Sequence, residues 1–251
     1  MVSGRRAQRK SRRRGVVSAI VGVVGELLLT AAVFIFLFLG WQLWLNDIIV
    51  GGEQQSEAQQ FGQQLGGAAP ATPVEPGEDF GDPVVSAVSD ETTKFANLYV
   101  PRFGADYVRT IAEGVGEGDV LTEGIGHYPD TQMPGEIGNF GIAAHRTTHG
   151  APFNRIADLQ VGDRMYVQTE DGWYTYVYRS SEYVLPTGVG VLEPVPQSPD
   201  IEPTERLITL TSCNPLFSAQ ERIIAYGVFE SWQPASAGAP EEIASIVGEG
   251  A

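Results

Sequence analysis

The apolar positions of the chain fall into one long run near the N-terminus and many short runs after it. The long run extends from Val16 to Leu45 and is broken only by Glu26 and a few small polar residues. Counted from Leu27 alone it gives nineteen residues to Leu45, close to the ~20 a helix needs to cross ~30 Å of hydrocarbon. From residue 93 onward, short apolar stretches bounded by turn residues recur at 97–100, 107–112, 138–144, 164–169, 173–183, 206–212 and 222–230. Each predicts a strand. Asp171-Gly172 stands between two of them and is the strongest hairpin signal in the chain. Tyr174, Tyr176 and Tyr178 share one face of the following strand by its period of two. Residues 153–159 predict a short helix. Regular short strands of this kind predict a small closed or partly closed barrel, a mostly β fold.

The remaining segments carry little that could fold. Residues 51–92 are rich in Gln, Gly, Ala, Pro and Glu, with almost no aromatic or β-branched clusters. Such a composition predicts a disordered tether, which for about forty residues would span roughly 35 Å r.m.s.. Residues 235–251 repeat this character, with Ile243, Ile246 and Val247 the makings of one short amphipathic turn. The expected organisation is a basic tail at 1–15, a membrane anchor at 16–45, an extracellular tether at 46–92, a folded domain at 93–233 and a flexible tail at 234–251. A length of 251 residues accommodates one domain of ordinary size with these appendages.

Charge orients the chain. The first fifteen residues carry Arg5, Arg6, Arg9, Lys10, Arg12, Arg13 and Arg14 and no acid. Basic flanks stay on the cytoplasmic side of a membrane helix, and Trp41 and Trp44 stand at the far end, where amphipathic rings favour the interface. A cleaved signal peptide would have an apolar region of about 7–15 residues followed by a small-residue cleavage site. This run is about twice that, and W-Q-L-W-L-N-D offers no such site, so an uncleaved single-pass anchor is expected. Residues 46–251 hold nine basic against thirty acidic side chains, a net charge near −21. An acidic exterior argues against nucleic acid as a partner and leaves the few external arginines for specific work.

Cys213 is the only cysteine. It falls where the strand Leu207–Ser212 should end, because Asn214-Pro215 signals a turn and proline cannot extend a central ladder. Arg222 stands at the entrance to the next apolar run. A free cysteine is most often a small buried hydrophobe, but a lone thiol at a strand end, with a cation nearby and histidine elsewhere, is the pattern of a nucleophile. Three histidines could partner it. His145 leaves the apolar run Phe140–Ala144 at its end, as Cys213 leaves its own, and is favoured by position. His149 lies in the loop T-T-H-G and His127 in the turn G-H-Y-P, where solvated loop histidines are expected; His149 could still line a substrate groove. H-x3-H without a second pair, and with one thiol, does not make a structural zinc site, and no metal or cofactor is expected.

T-L-T-S-C at 209–213, followed by Arg222, resembles the T-L-x-T-C signature and downstream arginine of the sortases, the cysteine transpeptidases of Gram-positive cell surfaces. G-N-F-G-I-A-A-H-R at 138–146 is similar to the segment carrying the sortase histidine, which singles out His145. C-N-P-L-F-S-A-Q-E-R is similar to the longer form of class E, the housekeeping type of high-GC bacteria. The resemblance covers roughly residues 93–233. Ser212 replaces the second threonine of the signature and keeps its hydroxyl; Asn214 stands where class E members often have histidine.

The resemblance implies an eight-stranded sortase-type β-barrel with short helices, behind a single transmembrane helix. It also implies an enzyme that cuts a Leu-Pro-x-Thr-Gly or Leu-Ala-x-Thr-Gly (LPXTG/LAXTG) sorting signal between Thr and Gly. The thioester on Cys213 would then be resolved by an amine of a peptidoglycan precursor. The partners are thus secreted proteins bearing a C-terminal sorting signal, and the wall precursor. In those roles Cys213 attacks, His145 moves protons, and Arg222 stabilises the thiolate or the oxyanion. Outside that chemistry, Arg222 would be a surface ion pair with Glu221 or Glu205. Tyr128 would help select the residue after Leu, and Thr211 and Ser212 would offer hydroxyls to the substrate backbone. Two rivals stand beside this reading. A pilin-polymerising sortase would carry an Asp-Pro-aromatic lid before the barrel, whereas Asp82-Pro83 here is followed by Val84. An anchored β-barrel adhesion or binding module would use Cys213 structurally.

Overall fold

The structure, a computed structural model, describes residues 4–41, 45–66, 78–87 and 90–248. Residues 4–40 form a single helix, α1, which belongs to one compact unit; the described residues from Asp47 onward make up the other. Within α1, Ser18–Gly40 is a 23-residue stretch long and apolar enough to cross a membrane, with a mean hydropathy of 2.5. The far-end tryptophan at 41 is described and the one at 44 lies outside the described residues.

Eight strands build the second unit: β1 (Lys94–Tyr99), β2 (Val108–Glu113), β3 (Ile125–His127), β4 (Gly138–Ala143), β5 (Arg164–Gln168), β6 (Gly172–Val184), β7 (Arg206–Asn214) and β8 (Glu221–Pro234). They close into a barrel in the order β1-β2-β3-β4-β7-β8-β6-β5. The predicted strands are all present, and Tyr174, Tyr176 and Tyr178 do point together into the core with Leu98, Ile111, Phe140, Ile142, Ile208 and Leu210. The Asp171-Gly172 hairpin joins β5 to β6, pairing Gln168 with Trp173. Only glycine fits at 172, since a Cβ there would lie 2.2 Å from the Gln233 carbonyl oxygen. The helix expected at 153–159 is shorter, a 3-10 turn over Ile156–Asp158. β3 escaped the periodicity because three residues carry no alternation to read. It pairs in parallel with β2 and antiparallel with β4.

The tether expected at 46–92 is overturned over much of its length. Asn46–Gln64 is a helix, α2, packed on the barrel wall. Its buried stripe is Gly51, Gln54, Ala58 and Gly62, small residues where large apolar ones would ordinarily signal an amphipathic helix. Their size lets strand amides reach the helix backbone: Asn97 Nδ2 donates to the Ala58 carbonyl at 2.7 Å, and Gln168 Nε2 to the Gly62 carbonyl at 2.9 Å. Residues 78–87 are also docked. Tyr174 donates to the Val84 carbonyl at 2.6 Å, Trp232 Nε1 to the Gly81 carbonyl at 3.0 Å, and Arg206 pairs with Asp82 at 3.0 Å. Residues 67–77 of the expected tether lie outside the described residues.

The flexible tail expected at 234–251 is likewise corrected. A 3-10 turn at Glu241–Ile243 runs into a short helix, α3 (Ala244–Gly248). Ile243 is fully buried beside Tyr99, Val108, Tyr166 and Trp173, and Tyr166 donates to Glu242 at 2.5 Å. One apolar side chain in a socket of aromatic rings anchors a segment whose average composition reads as loose.

The α2 seam is tight enough to test. An added Cβ at Gly62 would meet the Tyr99 hydroxyl at 2.9 Å and Asn97 Nδ2 at 3.0 Å. Gly62→Ala should cost roughly 1–3 kcal/mol of helix docking. Amide exchange is expected to show protection over residues 50–62 in the parent and its loss over residues 58–62 in the variant, with residues 50–56 and the barrel strands unchanged.

Candidate active site

Three adjacent strands position the candidate chemistry. β4 runs parallel to β7, with Ala143 level with Thr211. β7 runs antiparallel to β8, with Cys213 directly opposite Arg222. Opposed residues of this kind hold their Cβ atoms ~4.5–5.5 Å apart. The ladder continues past β4, as the Ala144 amide donates to the Thr211 carbonyl at 3.2 Å. His145 lies two residues past the end of β4, at the rim where β7 carries Cys213, and its neighbour Arg146 reaches the Cys213 carbonyl. Of the three residues singled out by the sequence, Cys213 and Arg222 are cross-strand neighbours and His145 lies on the adjacent segment at the same end of the barrel. All three are half-buried.

Each is held by its surroundings. Ser212 donates to the Ala144 carbonyl at 2.8 Å, and the Phe153 amide donates to the His145 carbonyl at 3.0 Å. Arg146, only 7% exposed, reaches from the histidine strand to the Asn214 side chain and, at 3.4 Å, to the Cys213 carbonyl. Asn214 in turn donates to Glu221 at 3.0 Å. Arg222 donates from one Nη to the Ala219 and Glu221 carbonyls, both at 3.1 Å. Among the described residues it makes no ion pair within 4.0 Å, so the expected surface pair with Glu221 or Glu205 is not formed.

The surroundings of His145 favour its neutral form. Burial lowers its pKa below the usual 6.5, and the neighbouring His149 ring, 4.8 Å away between centroids, lowers it further; Glu117 and Asp47 pull the other way. His149 is exposed and stacks on His145, which puts it at the site. His127 is not the solvated loop histidine expected. It is 1% exposed on β3, with Nδ1 2.8 Å from Glu113 and Nε2 3.0 Å from the Thr131 hydroxyl. Its burial between Phe95 and Phe140 makes it part of the barrel's interior scaffold.

Tyr128 and Thr211 meet, their hydroxyl oxygens 3.0 Å apart, on the face that carries Cys213. Ser212 does not join them. It is 3% exposed on the core face of β7, the face of Ile208 and Leu210, with its hydroxyl committed to Ala144. The expected substrate contact is thus replaced by a clamp on the histidine strand. Sequence reasoning missed Arg146, Asp47 and Glu117. Arg146 was legible as the residue after His145, whereas the two acids arrive from α2 and from the loop between β2 and β3, with no local signal. Asp82-Pro83 is docked at Arg206, where β7 begins, seven residues from Cys213 and so about 23 Å away at ~3.3 Å per residue.

Known sortases resemble this chain in sequence and in fold. The sortase domain model matches residues 98–230. Sortase SrtE1 of Streptomyces coelicolor is 33% identical over 249 residues, covering 96% of this chain; the match spans 66% of that protein's own length. Among solved structures, the SrtA sortase from Actinomyces oris is 38% identical with a TM-score of 0.62, over 65% of this chain and 94% of that one. Sortase E1 from Streptomyces coelicolor, solved with a tripeptide in its active site, is 38% identical with a TM-score of 0.57, over 61% of this chain and 97% of that one.

The stacked histidines give a titration to follow. His149→Ala removes a neighbour that disfavours the imidazolium, so the pKa of His145 should rise toward 6.5. An NMR titration of the imidazole carbons reads this directly; an unchanged or lower pKa would contradict the stacking.

Proposed function

The chain belongs to the sortase family, and from that premise we propose that it is a membrane-anchored, class E-like cysteine transpeptidase acting on sorting signals of the Leu-Ala-x-Thr-Gly or Leu-Pro-x-Thr-Gly type. The observation that supports the proposal is the pairing of Cys213 with Arg222 across β7 and β8, with His145 two residues past the end of the adjacent β4. Neutral His145 takes the Cys213 proton as sulfur attacks the Thr carbonyl. The C–N bond to Gly breaks, and the imidazolium returns that proton to the departing amine. In the second half an acceptor amine, drawn from a wall precursor, attacks the thioester while His145 accepts its proton; the released thiolate is reprotonated by the imidazolium. Arg222 faces the developing oxyanion with guanidinium N–H groups not used by the two carbonyls.

Tyr128 would help select the substrate residue after Leu, Thr211 would offer its hydroxyl to the substrate backbone, and His149 would line the substrate groove; the contact of the Tyr128 and Thr211 hydroxyls supports the first two roles. α1 supplies the anchor, with the basic tail in the cytoplasm and the barrel outside. The pilin-polymerising reading loses support because Asp82-Pro83 is docked at the barrel end remote from Cys213. A structural role for Cys213 is disfavoured by its half-exposed position opposite a cation.

Incubation of the full chain with a Leu-Ala-x-Thr-Gly peptide should yield an acyl adduct on Cys213 by mass spectrometry, and Cys213→Ala none. His145→Ala should lower the rate by about 10²–10⁴ and Arg222→Ala by about 10²–10³. Absence of any adduct would remove the transpeptidase assignment. Tyr128→Ala is expected to change the ratio of kcat/KM for Ala against Pro in the second position; an unaltered ratio would take Tyr128 out of that role.

A further inference from the structure

We propose that Gln54 of α2 is a positioning residue for His145, acting through the loop that carries His149. The proposal rests on the catalytic reading of His145 given above. The Gln54 side chain is 7% exposed. Its Nε2 donates to the His149 carbonyl at 2.9 Å and to the Thr122 carbonyl at 3.2 Å. One amide therefore joins the loop that follows His145 to the loop between β2 and β3. That second loop also brings Glu117, whose charge acts on His145.

The segment held by this bridge would not keep its shape unaided. His149, Gly150 and Ala151 have φ values of +53°, +75° and +46°, the left-handed region that side chains adopt only where their surroundings impose it. α2 imposes it by contact as well as by hydrogen bond. A Cβ added at Gly150 would lie 2.5 Å from Gln54 Oε1 and 3.0 Å from the Gly51 Cα, so helix and loop touch backbone to backbone. Gln54 Oε1 itself is buried without a hydrogen-bond partner among the described residues. An unpaired buried acceptor is a cost that a methionine of similar length would avoid. What the amide adds at this position is its pair of donors.

The charged and titratable groups that act on His145 are His149 on its own loop, Glu117 between β2 and β3 and Asp47 at the start of α2, and Cys213 and Arg222 stand at the same rim on β7 and β8. Gln54 governs the placement of the first two. If its donors are lost, the His149 loop relaxes, the stacked ring withdraws and water reaches His145. Both changes favour the imidazolium.

The test uses the full chain in detergent micelles with ¹³C-labelled histidine, of which it has three. Gln54→Met keeps the volume and removes the donors, and Gln54→Leu serves in its place should that variant not fold. Gly62→Ala, which disturbs the other end of α2, reports general loosening of the helix. The His145 titration is expected to shift upward in Gln54→Met and not in Gly62→Ala. With a Leu-Ala-x-Thr-Gly peptide, kcat should fall about tenfold while KM stays within about twofold, the mark of a misplaced proton-transfer group. An unchanged titration in Gln54→Met, or the same shift in Gly62→Ala, would overturn the proposal. The titration needs no turnover, so its outcome is separate from that of the transpeptidase reading, which stands or falls on the adduct at Cys213.

Discussion

The register of β7 between β4 and β8 is the constraint on which the site depends. A slip of one residue would turn Cys213 to the opposite face and bring Ser212 level with Arg222. A buried layer on the outer face of the sheet, under the segment between β6 and β7, fixes that register. Buried Thr209 donates to Asn139 Oδ1 at 2.6 Å, and Asn139 Nδ2 donates to the Val191 and Glu193 carbonyls, both at 3.1 Å. Asn139 thus ties β4, β7 and the segment leading into β7 through one amide with every group used. A slipped strand would leave these groups unpaired in that buried layer, where each costs about 1–3 kcal/mol. Buried polar networks of this kind are weak sources of net stability and strong selectors of one arrangement.

The barrel was legible because its strands are long enough to show alternation and its turns carry Gly, Pro and Asp. The site was legible because Cys213, His145 and Arg222 each stand at the end of such a strand, and strand ends on one rim converge. The wrapping segments were not. α2 docks through Gly51, Ala58 and Gly62, residues that a composition argument counts as too small to bury useful area. Their contribution is proximity: helix carbonyls come within 2.7–2.9 Å of strand amides. The partners that make this worthwhile, Asn97 and Gln168, are about forty and a hundred residues away in sequence. Local pattern holds no trace of such a pairing. His127 failed for a related reason, since the carboxylate of Glu113 that satisfies it lies on the neighbouring strand β2.

The acidic surface gains a more specific meaning at the site. Most of the acidic side chains behind the net charge near −21 of residues 46–251 are exposed or half-buried, and exposed carboxylates act on one another weakly in water. Asp47 and Glu117 differ because they act on a half-buried imidazole, where screening is less complete. Neither is in the barrel strands, and both reach the site on elements that pack against its rim.

Taken together, these surroundings suit a proton carrier that must be neutral first and charged next. A thiol with an ordinary pKa near 8.5 is only a few per cent ionised at neutral pH, so attack needs a base that is free to accept its proton. Burial and the His149 ring favour that form of His145. On the proposed mechanism, once His145 has taken the proton, desolvation and His149 still oppose the new charge, while Asp47 and Glu117 favour it. That balance gives an imidazolium acidic enough to protonate the leaving amine and yet stable enough to form. A stronger pull from the carboxylates would leave His145 charged at rest and unable to accept the thiol proton. A weaker one would raise the barrier to forming the imidazolium. The useful range between these lies within a few kcal/mol, since each pKa unit corresponds to about 1.4 kcal/mol. On the proposed mechanism, placement of the histidine loop is therefore as much a part of the chemistry as Cys213, His145 and Arg222 themselves.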